Sequence, residues 1–236
     1  MDLTIKDVAA LLNLSKSTVD EWVAQGTIPC YRIGDQYRFS RIEIEDWVLR
    51  KQSGELSANG FGEADIHGTG SRQFSLYRAI HKGGVLHKVP GKEKEEVIRN
   101  AMKTIAKDLK FDPDVLTEML IDRERLQPTA LGHGIGLPHT RDSFVNALHD
   151  RVVVAFPEHP LQDYGALDGE PVTTLFFLFA CDDKKHLHLL AKIAHFSNLA
   201  TTLELLERKP NKVALLDYVK EWEGQVGKVL SAGKTK

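Results

Sequence analysis

The segment from Gln52 to Gln73 constrains the fold of this chain most strongly. It reads QSGELSANGFGEADIHGTGSRQ, is rich in glycine, serine and small polar residues, and has no apolar period. That composition is typical of a flexible linker, and an ordered loop packed on a neighbour is the alternative. Because the chain has 236 residues, we predict a small domain over 1–51, a linker over 52–73 and a larger domain over 74–236.

Composition limits the class of protein. Hydrophobic residues make up 42% and charged residues 27% of the chain, as in ordinary globular proteins. The sequence has no apolar run of about 18 residues and no secretory signal pattern, so we expect no membrane association. Cys30 and Cys181 lie far apart and indicate no disulfide framework, so we expect a cytoplasmic protein with reduced thiols. The net charge of −2 gives no overall argument for nucleic-acid binding.

The first residues predict two short helices joined by a tight turn. Thr4 with Asp7 three residues on resembles a capping box, and an apolar stripe at helical spacing follows. Ser15 can cap a second helix, KSTVDEWVAQ, which Gly26 ends. The strands IPCYRI and YRFS then predict a hairpin around residues 34–36, before a third helix that continues to about residue 51. This order predicts a small winged helix-turn-helix domain.

The stretch TIKDVAALLNLSKSTVDEWVAQGTIPCYRIGDQYRFSRIEIEDWV resembles the excisionase/MerR-type DNA-binding domain. The similar features are the Ser-x-Ser-Thr-Val entry to the second helix, Trp22 and Gly26 at its end, and the Ile-Pro…Arg-Ile-Gly…Tyr-Arg-Phe wing. The resemblance implies that the second helix enters the major groove and that the wing contacts phosphates or a groove edge. The residues that it implies at DNA are Lys16, Ser17, Thr18, Arg32, Gln36, Tyr37 and Arg38.

The charge of this domain weakens the DNA-binding interpretation. Residues 1–51 contain seven Lys plus Arg and eight Asp plus Glu. Because cations supply the affinity for phosphates, we expect a single copy to bind DNA weakly. A homodimer would present two half-sites and double the phosphate contacts. The alternative is a protein-interaction module of the same fold.

The larger domain mixes helical and strand patterns. KEKEEVIRNAMKTIAKDL and FDPDVLTEMLIDRERL have helical spacing, the second with Asp112 as its N-cap and Pro113 at its first position. RVVVAFPE and TTLFFLFA are continuous apolar runs typical of buried strands. Two further helical patterns follow in HLHLLAKIAHFSN and VALLDYVKEW. We therefore predict an α/β domain, a mixed sheet flanked by helices.

The stretch ALGHGIGLPHTRD, residues 130–142, allows three interpretations. A metal site lacks the spacing of known zinc motifs, so we expect neither metal nor cofactor. A glycine-rich turn with incidental histidines is the second. The third is a nucleophilic His139, because neutral imidazole is available at pH 7, Pro138 restrains the backbone and glycines permit close approach of a donor. Possible hydrogen-bond donors to a phosphoryl group are Arg123, Arg125, Thr140 and Arg141.

The run DRERLQPTALGHGIGLPHTR, followed by LQDYGALDGEPVTTLFFLFA and DKKHLHLLAKIA, resembles the enzyme IIA domain of the phosphoenolpyruvate-dependent sugar phosphotransferase system. The similar class is the mannitol/fructose type, which includes the nitrogen-related regulatory proteins. The resemblance spans about residues 74–225. It implies that His139 is phosphorylated, that Arg123 stabilises the transferring charge, and that His186 or, alternatively, His188 is the second active-site histidine. Thr140 stands where the family commonly has glycine.

The two resemblances together imply a regulator. The larger domain would be a phosphoryl carrier that receives its phosphoryl group from the carrier protein HPr or a paralogue, without a small-molecule substrate. Phosphorylation would then change DNA binding or oligomeric state. One alternative is a module that docks partner proteins according to its phosphorylation state. Another is a IIA carrier that donates to the IIB component of a sugar permease. The sequence leaves open whether the two domains touch.

Overall fold

The computed structural model describes residues 2–12, 14–34, 36–52, 75–109, 112–140 and 149–232. We call residues 2–52 the N-terminal unit and residues 75–232 the C-terminal unit. The predicted linker lies outside the described residues except for Gln52, which ends a helix. Among the described residues, no helix combines the length and the apolar character needed to cross a bilayer.

The N-terminal unit is a helix-turn-helix with a three-stranded sheet. Its elements are β1 (Asp2–Leu3), α1 (Ile5–Leu12), α2 (Lys16–Ala24), β2 (Tyr31–Ile33), β3 (Gln36–Ser40) and α3 (Arg41–Gln52). The strands are antiparallel in the order β1-β3-β2. This arrangement confirms the predicted winged fold.

The wing hairpin is tighter than the sequence suggested. Gln36 pairs with Ile33, so the prediction that it lies in the turn is wrong. Gly34 adopts a φ of 61°, which lets the chain reverse within a shorter turn. The first wing strand begins at Tyr31 and not at residue 28. Pro29 lacks the N–H group that a strand at this position would use.

The C-terminal unit contains six helices and five strands in its described part. The helices are α4 (Leu76–Gly83), α5 (Lys94–Leu109), α6 (Pro113–Leu126), α7 (Asp183–Ser197), α8 (Ala200–Glu207) and α9 (Lys212–Ala232). The strands are β4 (Gly84–Val89), β5 (Ala130–Gly132), β6 (Ile135–Gly136), β7 (Arg151–Pro157) and β8 (Thr174–Phe179). Their order is β4-β7-β8-β6-β5, with parallel β4–β7 and β6–β8 pairs and antiparallel β7–β8 and β5–β6 pairs. The predicted mixed sheet is confirmed.

Both faces of the central strands are covered, which explains their continuous apolar sequences. On β7, Val152 and Val154 belong to one hydrophobic cluster, whereas Val153 and Ala155 belong to the other. Helices α5 and α6 cover the second face, and α4, α7 and α9 cover the first. The result is a three-layer α/β/α unit.

Predicted capping residues start the helices. Thr4 N donates to Asp7 Oδ2 at 2.9 Å, and Asp7 N donates to Thr4 Oγ1 at 3.3 Å. Ser15 Oγ accepts the N–H of Thr18 at 3.1 Å, and Asp112 Oδ1 accepts two N–H groups of the first turn of α6. Each bond satisfies a backbone donor that a helix start leaves without an intrahelical partner.

The two units pack against each other. Helices α1 and α3 of the N-terminal unit contact α7 of the C-terminal unit. One hydrophobic cluster extends from Val8 and Ile44 in the N-terminal unit to Leu187 and Phe196 in the C-terminal unit. The small domain therefore packs on α7, one of the helices that cover the first face of the large sheet.

Candidate functional site

His139 lies just after β6, beside the central strand β8. Leu178 N donates to Pro138 O at 3.1 Å, and His139 forms a parallel bridge with Leu178. Because side chains alternate along an extended chain, His139 shares its face with Ile135 and Leu137, which pack in the cluster that continues into the N-terminal unit. The His139 side chain has 0% exposure. The histidine is thus held by sheet hydrogen bonds on the face towards α7.

The glycines before His139 build a hairpin and a tight packing contact. Gly132, at the end of β5, and His133 and Gly134, in the turn to β6, have φ values of 81°, 51° and 73°. A Cβ atom at Gly136 would lie 2.8 Å from the Tyr164 ring. These glycines therefore shape the strand that carries His139. That they also permit close approach of a donor remains a prediction.

The hydrogen bond of His139 sets its tautomer. Nδ1 lies 2.8 Å from Leu137 O, and a carbonyl only accepts, so Nδ1 carries the proton and Nε2 carries the lone pair. Nε2 has no hydrogen-bond partner among the described residues. Burial, with the charges of His186 and Arg123, lowers the pKa of His139 from 6.5 to about 3. The ring is therefore neutral at pH 7, with an unprotonated Nε2.

His186, in the first turn of α7, is the second histidine next to His139. The two ring centroids are 5.3 Å apart, and His186 is 3% exposed. His188 is also buried, but residues two apart on a helix do not face the same side. Burial lowers the pKa of His188 to about 4, with Lys184 and Lys192 contributing. The geometry brings His186 next to His139, and its role as the second active-site histidine remains a prediction.

Arg123 approaches the site from the last turn of α6. Its side chain is 2% exposed, and Nη1 donates to Gln127 O at 3.0 Å. Nε and Nη2 have no hydrogen-bond partner among the described residues. A buried guanidinium with free N–H donors is suited to an anion. The site therefore joins a neutral imidazole with an unprotonated Nε2, a second imidazole and a guanidinium.

One predicted donor, Arg125, lies outside this cluster. Arg125 donates from Nε and Nη2 to Glu95 at 2.8 and 2.9 Å on the surface between α5 and α6. Arg141 lies outside the described residues. Thr140 is buried beside His139, at 3% exposure. Of the two upstream arginines, only Arg123 is brought to the site.

The N-terminal unit contributes acidic residues that the sequence analysis missed. Glu45 Oε1 lies 3.5 Å from His186 Nδ1, and Asp46 Oδ1 lies 3.6 Å from Arg123 Nη2. Arg41 Nε donates to Glu45 Oε1 at 3.0 Å. Glu45 lies in a helix whose other buried positions are apolar. A buried acidic side chain needs a partner, so this position was the sequence signal that could have indicated the contact.

Glu45 is ionised despite its burial. Burial raises its pKa, but His186, His139 and Arg41 outweigh this effect and lower it from 4.5 to about 2. Because His139 is neutral at pH 7, Arg41 is the permanent cation beside Glu45. A carboxylate with 1% exposure thus lies against the histidine pair.

The residues predicted at DNA lie on α2 and the wing. Lys16, Ser17, Arg32 and Gln36 are exposed, and Thr18, Tyr37 and Arg38 are half-buried. Ser17 and Thr18 hydroxyls lie 2.7 and 2.8 Å from Ser15 Oγ at the start of α2. On the wing, Arg38 donates to Gln36 at 2.7 Å, Arg32 donates to Gly34 O at 3.2 Å, and Tyr37 packs against the core.

Known families match both units. Residues 79–222 match the family described as "Phosphoenolpyruvate-dependent sugar phosphotransferase system, EIIA 2", and residues 3–52 match the family "Helix-turn-helix domain". The chain belongs to the EIIA 2 family of the phosphotransferase system and carries an N-terminal helix-turn-helix domain.

Relatives agree with this assignment. A "Nitrogen regulatory protein" of Pseudomonas aeruginosa is 33% identical over 147 residues, covering 61% of this chain and 94% of that protein. The "Transcriptional repressor DcmR" of Methylorubrum extorquens is 38% identical over 65 residues, covering 27% of this chain and 24% of that protein. The crystal structure of IIA-Ntr from Neisseria meningitidis is similar in fold, with a TM-score of 0.52, 22% identity, and coverage of 58% of this chain and 93% of that one.

Proposed function

We propose that this protein accepts a phosphoryl group on Nε2 of His139 from the phosphohistidine of HPr or a paralogue. The observation that carries the proposal is the buried pairing of a neutral His139, whose Nδ1 proton is held by Leu137 O, with the unsatisfied N–H donors of Arg123. These buried donors suit the oxygens of an anion that bonds to Nε2. Membership of the family described as "Phosphoenolpyruvate-dependent sugar phosphotransferase system, EIIA 2" supports the same class of function.

The transfer is balanced without a cofactor. The Nε2 lone pair forms the new bond to phosphorus, and the electron pair of the breaking P–N bond stays on the donor nitrogen. The Nδ1 proton remains on His139, donated to Leu137 O. Arg123 stabilises the charge of the transferring group, and His186 donates a hydrogen bond to one of its oxygens. The protein accelerates the transfer mainly by positioning the two histidines and by stabilising the charge of the transferring group.

The N-terminal unit makes a regulator the best-supported function. We infer that it binds DNA through α2 and the wing and that the phosphorylation state of His139 changes this binding. The support is a helix-turn-helix domain with Lys16 and Arg32 exposed, in contact with the unit that contains His139. A phosphoryl group adds close to two negative charges, which is enough to change a contact between the units.

Reconstituted phosphorylation tests the acceptor. The full chain is incubated with enzyme I, HPr and phosphoenolpyruvate, and phosphohistidine is located by mass spectrometry. We expect one phosphoryl group, which His139→Ala abolishes. His133→Asn is the matched control, because His133 is exposed in the same stretch and asparagine tolerates its positive φ. Stoichiometric phosphohistidine in His139→Ala would refute the assignment.

DNA binding has its own test. Selection of bound genomic fragments at low salt, followed by a salt titration, should recover a site whose affinity falls steeply with salt. Lys16→Gln and Arg32→Gln should weaken binding to all sequences and lower the salt slope. If no fragment binds at low salt, with or without phosphorylation, the regulator interpretation fails. A protein-docking module or a carrier that donates to a IIB component would then account for phosphorylation.

A further inference from the structure

The contact between α3 and the acceptor site has a regulatory consequence. We propose that α3 closes the site, with Glu45 and Asp46 facing the two side chains, His186 and Arg123, that a phosphoryl group on His139 would engage. The closed form and the phosphorylated form then exclude each other. This inference rests on the proposed function, since it takes His139 as the acceptor.

Adjacent carboxylates of α3 face both side chains of the site. Glu45 Oε1 is 3.5 Å from His186 Nδ1, and Asp46 Oδ1 is 3.6 Å from Arg123 Nη2. Both distances exceed a hydrogen bond, so the interaction is mainly electrostatic. The N–H donors therefore stay available for shorter bonds to a better-placed anion. The carboxylates supply negative charge where a phosphoryl group would supply it.

Arg41 connects α3 to the first turn of α7. Its Nη1 lies 2.7 Å from Asp183 Oδ2, and its Nε donates to Glu45 Oε1 at 3.0 Å. The same guanidinium therefore orients Glu45 and anchors the helix that carries it. Because Glu45 is 1% exposed, removing any of its partners leaves a buried charge less compensated. Closure of α3 is thus sensitive to charge at the site.

Burial prevents transfer in the closed form. His139 is 0% exposed, and its reaction requires a histidine of another protein to bring phosphorus within bonding distance of Nε2. A fully buried ring cannot meet that partner. The site must therefore open before His139 receives a phosphoryl group.

Phosphorylation should hold the site open. A phosphoryl group on His139 adds net negative charge beside Glu45 and Asp46, and like charges repel strongly where water is excluded. Arg123 and His186 would then serve the phosphoryl oxygens in place of the carboxylates. A cavity of about 320 Å³, lined by Asp46 and Leu49 on one side and by residues 127–133 on the other, leaves this edge of the contact incompletely packed. Separation of α3 meets less resistance there than in a close-packed core.

Neutral variants of α3 test the closure. Initial rates of phosphoryl uptake from phosphorylated HPr are measured for the full chain, Glu45→Gln, Asp46→Asn and Glu43→Gln. Glu43 is the matched control, because it belongs to the same helix and its carboxylate accepts the hydroxyl of Tyr31 within the N-terminal unit. We expect about tenfold faster uptake for Glu45→Gln, the change expected when a charged contact of the closed form is lost. Glu43→Gln should match the wild type.

The outcomes separate this inference from the proposed function. Uptake by the wild type with equal or slower rates in Glu45→Gln and Asp46→Asn overturns the closure and leaves the acceptor assignment intact. No uptake in any variant overturns the proposed function itself. Hydrogen exchange of residues 41–49 in the wild type, before and after phosphorylation, gives a readout that needs no substitution. Phosphorylation should remove their protection, and unchanged protection would overturn the inference.

Discussion

Acid should destabilise this protein through His139 before Glu45 protonates. The folded protein lowers the pKa of His139 from 6.5 to about 3, so the neutral form is favoured on folding. Its contribution to the free energy of unfolding is complete above pH 6.5 and is lost as the pH falls from 6.5 towards 3. Because pH 5 lies about 1.5 pH units below the unfolded value, His139 should cost about 2 kcal/mol there. The corresponding loss for Glu45 begins only below its ordinary value of 4.5.

Urea denaturation at about pH 7.5 and about pH 5 checks this value. The wild type should lose about 2 kcal/mol more on acidification than His139→Gln, which cannot titrate. His188, whose pKa is also lowered, contributes to both proteins and cancels in the difference. Among the described residues, the titratable groups that act on His139 are His186, Arg123 and Glu45, and they are present in both proteins. Parallel pH dependence in the two proteins would refute the burial of a neutral His139.

Two substitutions test the support of the site. Arg123→Gln should slow phosphoryl uptake by about 10²-fold and keep the final stoichiometry at His139, because one charged donor to the transferring group is lost. Rapid-quench kinetics would measure the rate, and an unchanged rate would show that Arg123 has no part in the transfer. Gly136→Ala should destabilise the C-terminal unit by about 1–3 kcal/mol, because the new methyl group would lie 2.8 Å from the Tyr164 ring. Urea denaturation would measure this loss, and unchanged stability would show that the neighbouring side chains move to relieve the contact.

Local signals predicted most elements of the fold. Caps such as Ser15 and Asp112, and the continuous apolar runs of β7 and β8, depend on neighbouring residues and on period alone. The wing turn was misplaced because Gln36 has no property that distinguishes a turn from a strand; the positive φ of Gly34 and pairing with Ile33 decided it.

The residues of the candidate site were also predicted only in part from the sequence. The residues quoted for the family resemblance indicated His139, Arg123 and His186, which the structure brings together, but no spacing chose between His186 and His188. The structure distinguishes the two histidines, because residues two apart on α7 face different sides of the helix and the ring centroid of His186 lies 5.3 Å from that of His139.

The sequence by itself determined two folded units of different class, the nucleophile candidate and the helix-turn-helix. Only the tertiary structure decided that α3 of one unit lies on the candidate site of the other, with Glu45 near His186 and Asp46 near Arg123. The physical reason is the distance along the chain. Caps and periodicity act over a few residues, whereas Glu45 and His186 meet only because an apolar cluster joins surfaces on either side of the segment between the units. The sequence does not distinguish an exposed acidic residue from a buried one, because burial depends on how the folded chain packs.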